Sequence, residues 1–64
     1  MTDLAEVFAR ITAELEDMHG LAVEGQLGDQ PPEMITVLAF EICNGLHRVR
    51  DLLGEVRART GPTG

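Results

Sequence analysis

Apolar residues in the second half of this chain return on a seven-residue rhythm. Ile35, Leu38, Ile42, Val49, Leu52 and Val56 follow alternating three- and four-residue steps, and Gly45 fills the one position left open. Sustained spacing of this kind turns a narrow stripe of a helix toward other helices. It predicts an all-α fold: a helical hairpin, with a short first helix and a long second one, self-associating into a dimeric four-helix bundle. Sixty-four residues allow one domain, 1–64, and a chain this short hides only about 60% of its unfolded surface. Such chains need disulfides, a metal, a partner or very efficient helix packing. Cys43 is the only cysteine, so an intrachain disulfide is excluded. Its apolar helical setting fits a reducing compartment, and a cytoplasmic location is expected.

The spacing predicts helix 1 over residues 4–18, a connector over 19–30, helix 2 over 31–59 and a frayed tail over 60–64. Asp3 is placed to cap helix 1, with Glu6 three residues on in a capping-box position. Leu4, Phe8, Ile11, Leu15 and Met18 form its stripe, widened by Val7. Gly20 reads as the stop, and Gly25 and Gly28 argue against a continuous long helix. Pro31 and Pro32 suit the first turn of helix 2, where missing N–H groups cost little. Thr60-Gly61 ends that helix. Helix 2 is apolar on nearly every side from Met34 to Cys43 and outlasts its companion, so a second subunit is expected to surround it. The oligomer interface then falls on Ile35, Leu38, Ile42, Gly45, Val49, Leu52 and Val56. Gly45 implies close approach by another backbone, by a large side chain such as Phe8 or Phe40, or by a ligand. Met1-Thr2-Asp3-Leu4 carries no basic or apolar leader, so no signal peptide is expected. No run reaches the ~20 apolar residues of a membrane span.

Charge is divided along the chain. Residues 1–41 carry nine acids and one base; residues 42–64 carry two acids and four bases, and the total is −6. An acidic chain repels phosphate, which disfavours nucleic acid as a partner. With no Tyr or Trp and two Phe, it also offers little for bases to stack on. The C-terminal arginines complement the helix dipole, and in a hairpin Arg57 and Arg59 come near Asp3 and Glu6. Glu14, Glu16, Asp17, Arg48 and Arg50 are the charged candidates for a partner surface. Cys43 and His47 share a helix face at i, i+4, and two copies would supply a Cys₂His₂ set of the kind zinc takes. The simpler reading is a buried free thiol beside a boundary histidine, so no metal and no cofactor is expected. Nothing resembles a catalytic triad or a phosphate-binding glycine loop, and the chain is read as no enzyme.

The run Ile42-Cys43-Asn44-Gly45-Leu46-His47, with Asp51 beyond it, resembles the second helix of the plasmid RNA-binding family called Rop (repressor of primer). The resemblance covers about six residues. It implies a dimeric four-helix bundle made from two hairpins, and an RNA-contacting face on helix 1 for which Phe8 is the counterpart. Glu6, Arg10 and further acids surround Phe8 here, where that family uses basic and amide residues. The expected function is therefore a small protein-interaction module, an adaptor, regulator or inhibitor, that partners itself and another protein. A Rop-like nucleic-acid-binding regulator and a metal- or ligand-sensing bundle are the alternatives.

Overall fold

The computed structural model describes residues 3–61. Among them are two antiparallel α-helices, α1 (Leu4–Gly25) and α2 (Pro32–Thr60), joined by residues 26–31. No helix among the described residues is long and apolar enough to cross a membrane.

α1 starts where local chemistry dictates. The Asp3 carboxylate accepts the Ala5 N–H at 2.7 Å, and its carbonyl accepts from Glu6 and Val7 at 3.1 and 3.2 Å. The Ala5 and Glu6 bonds satisfy N–H groups that the first turn leaves without helical partners, and the Val7 bond is the first regular one of the helix. Glu6 does not reach back to complete a capping box; its carboxylate pairs with Arg10 at 3.3 Å.

The end of α1 differs from the expected one. The helix passes through Gly20 and continues to Gly25, and Gly61 is the only positive-φ glycine among the described residues. A glycine permits a helix to stop without compelling it. Leu21 is half-buried and lines a groove with Leu38 and Ile42 of α2. That packing outweighs the ~1 kcal/mol by which glycine disfavours a helix interior. The chain then turns at Gln26, whose N–H bonds back to Val23 at 3.0 Å, and the Gln30 side chain donates to the Glu24 carbonyl at 3.3 Å.

Pro31 is the extended N-cap of α2, and Pro32 opens the helix. The Pro31 carbonyl accepts from Met34 and Ile35 at 3.0 and 3.2 Å. α2 stops at Gly61, where φ is 78°, a value that costs glycine little. The expected tail over residues 62–64 lies outside the described residues.

At 1.5 Å per residue α1 measures about 33 Å and α2 about 43 Å. α2 does outlast its companion, as expected, but by little: α1 flanks roughly three quarters of it. The buried apolar side chains are Val7, Ile11, Met18 and Leu38. Val7, expected only to widen the stripe, is the one fully buried side chain among the described residues. Gly45 is buried opposite Met18: a Cβ built on Gly45 would stand 2.7 Å from Met18 Cγ and 2.8 Å from its Sδ. Gly25 meets Leu38 in the same way, at an ordinary 3.8 Å. These two contacts define the register of the hairpin.

Candidate functional site

Of the seven residues assigned to an oligomer seam, Leu38 and Gly45 are buried within the hairpin, and Ile42, Val49, Leu52 and Val56 are half-buried. Ile35 alone is exposed. The seam of α2 is therefore turned mainly toward its own α1. The side chain that crowds Gly45 is Met18, while Phe8 and Phe40 are exposed.

A second apolar stripe is left largely uncovered, with Ile42 and Val49 at its half-buried edge. On α2 it runs Ile35, Ala39, Ile42, Leu46, Val49 and Leu53, again in four- and three-residue steps, about 50° round the helix from the first. On α1 its counterparts are Phe8, Leu15 and Ala22, each seven residues from the next. Phe8, Leu15 and Leu46 leave half or more of their surface in water, and Leu53 nearly half. In the register set by Met18 over Gly45, Phe8 lies within two residues, about 3 Å, of the level of Leu53, as Leu15 does of Leu46 and Ala22 of Ala39. The three rungs form one continuous face of the hairpin. Toward the loop it hollows into an open groove of about 280 Å³, lined by Ala22, Gly25, Ile35, Leu38, Ala39 and Ile42.

The opposite face carries charge. Arg48 Nε donates to Glu14 Oε1 at 2.8 Å, the only ion pair between the helices among the described residues. This hydrogen bond raises the Arg48 pKa above its ordinary value; a smaller desolvation opposes it, and the charges of Glu14, Glu41 and Asp17 add to it. Arg10, Ala13, Asp51 and Leu52 complete the groove around the pair. The five charged candidates do not make one patch. Glu14, Asp17 and Arg48 share this side. Arg50 lies across the hairpin beside Leu46 and Leu53, and Glu16 stands two residues round α1 from Glu14. Nor do Arg57 and Arg59 pair with Asp3 and Glu6. Arg59 turns back to Glu55 at 3.4 Å, and Glu6 is taken by Arg10.

Cys43 Sγ lies 3.7 Å from His47 Nε2, and the thiol is exposed rather than buried. Helix spacing brings the two together, as expected. Among the described residues no third acidic, cysteine or histidine side chain joins them in a group able to hold a metal.

The sequence pattern places Phe8 and Leu15 in the packed stripe of α1, where the structure leaves them exposed, and it does not single out the exposed Leu46 and Leu53. The signal for them was present: both helices carry apolar stripes wider than one neighbour covers. Comparison with known proteins places nothing beside this chain, since no family model, curated protein or solved structure matches it.

Proposed function

We propose that this protein is a small non-enzymatic interaction module that works as a homodimer, two hairpins closing their apolar faces into a four-helix bundle. The observation that carries this reading is the uncovered face of Phe8, Leu15, Ile35, Leu46 and Leu53. Two amphipathic helices bury one flank of each stripe, and a second pair is needed to bury the other. Area supports the same reading. The chain exposes 4929 Å², whereas a globular monomer of 7.0 kDa exposes about 4,000 Å². The excess of roughly 900 Å² is close to the ~800 Å² that each partner buries in a standard interface. A face made of one self-complementary strip suits a two-fold contact, in which each residue meets the same surface of its twin.

Sedimentation at tens of micromolar should return twice the 7.0 kDa chain mass. Leu46→Asp should yield a monomer, because it draws a carboxylate into an apolar contact at a cost of several kcal/mol. Leu46 is more than half exposed in one chain, so the variant strikes the contact between copies before the hairpin itself. A wild-type chain that sediments as a fully helical monomer would overturn the reading.

A further inference from the structure

A second apolar strip lies on the other side of α2. Met34, Val37 and Phe40 follow one another at three-residue steps, and Phe40 is 64% exposed. At 100° per residue the strip is centred well over a third of a turn from the Leu46–Leu53 stripe. Closing the dimer face therefore leaves it open.

Its surroundings are mainly acidic, and Arg48, beside Glu41, is held by Glu14 at 2.8 Å. From Ile11 to His47 the chain holds seven acids, Glu14, Glu16, Asp17, Glu24, Asp29, Glu33 and Glu41, and no Lys or Arg. Glu33 and Glu41 sit one helical turn to either side of Val37. Glu41 and Asp17 are close enough to Arg48 to raise its pKa, which places them on the Glu14–Arg48 side of the hairpin. The remaining described segments, 3–10 and 48–60, hold five arginines against four acids, a net of +1. A further copy of this chain could set only its open end, at +1, against this loop-proximal half of the hairpin, which carries −7, so a basic helix of another protein is the better electrostatic match.

We propose that the Met34–Val37–Phe40 strip is a docking surface for a basic amphipathic helix of another protein. Apolar residues at helical spacing on that helix would cover the strip, and Lys or Arg beside them would face Glu33 and Glu41. The acidic field speeds encounter and selects against acidic competitors. The surface is complete within one chain and does not rest on the dimer.

The probe is a fluorescein-labelled 18-residue peptide with Leu at i, i+3, i+4 and i+7 and Lys elsewhere. A scrambled peptide of identical charge but no apolar face is the control. Anisotropy should show saturable binding that weakens as salt rises, with the scrambled peptide at least tenfold weaker. Val37→Ala with Phe40→Ala should weaken binding at least tenfold while helicity and sedimentation stay unchanged. Glu33→Gln with Glu41→Gln should weaken it at least threefold and flatten its salt dependence. Equal binding of the scrambled peptide, or no effect of the Val37/Phe40 variant, would overturn the proposal. So would capture by neutral phosphatidylcholine vesicles that depends on Phe40, which would assign the strip to a membrane. A Leu46→Asp monomer that still binds the peptide leaves this surface standing when the dimer is gone; a dimer that never binds it removes this surface alone.

Discussion

Gly45 and Met18 are the pair through which a single residue decides how closely these helices approach. Glycine in a helix interior is about 1 kcal/mol less favourable than alanine, so propensity alone makes Gly45→Ala stabilising. The new methyl, however, would overlap Met18 Cγ and Sδ at 2.7 and 2.8 Å. Met18 is almost wholly buried, and moving it disturbs the packed layer around it. Gly45→Ala should therefore be destabilising, by about 1–2 kcal/mol in urea denaturation at fixed protein concentration. Met18→Ala removes the obstacle, and in that background the same Gly45→Ala change should stabilise by up to about 1 kcal/mol. Stabilisation in both backgrounds would show that Met18 yields freely and does not define the register. The open d position was legible in the heptad pattern. Its occupant was not, because Met18 reaches Gly45 only once the rotation of both helices is known.

At the scale of the helices, the instructive element is the second half of α1. Gly20 is a stop signal by composition, yet a Cβ added there meets nothing within 4 Å, and its φ is not positive. Gly20→Ala should stabilise the protein by about 0.5–1 kcal/mol, read as a higher urea midpoint at unchanged slope. If the chain instead turned at Gly20 with a left-handed backbone, alanine would be destabilising there. The caps show the other outcome. Asp3, Pro32 and Gly61 stand where their chemistry assigns them, since capping is settled within one turn of the chain. The length of α1 depends on what Leu21 and Gly25 find on α2, a contact made across many residues of sequence.

For the molecule as a whole, the three rungs of the apolar face predict how two copies meet. Two are bulky, Phe8 with Leu53 and Leu15 with Leu46; the third, Ala22 with Ala39, is small and borders the open groove. A two-fold axis across the hairpin at the middle rung would set Phe8 and Leu53 of each copy into the groove of the other. An axis along the hairpin would stack bulky rung on bulky rung and leave the grooves facing each other empty, a poorly packed result. It would also bring two loop ends of −7 together, whereas the first arrangement sets each against an open end of +1. The loops should therefore lie at opposite ends of the dimer. Spin labels on Gln26→Cys, in a Cys43→Ser background, should then sit about 35 Å apart, twice the ~12 residues from the middle of α1 at 1.5 Å each. A distance under about 20 Å would place the loops together and exclude this arrangement.

Periodicity and capping, read from the sequence alone, determined that the chain is helical, that it forms two helices, where α1 begins, and where α2 begins and ends to within a residue. Each of these rests on contacts within a turn or two, so neighbouring residues suffice to specify them. Tertiary structure decided the rotation of each stripe, which sends Val7 inward and leaves Phe8 and Leu15 in water. It also decided the length of α1 and the partner of Gly45. A stripe six residues wide can face inward over some tens of degrees with little change in local energy. The choice among those rotations falls to the packing of Met18, Leu38 and Gly45 against one another, which involves residues far apart in the chain.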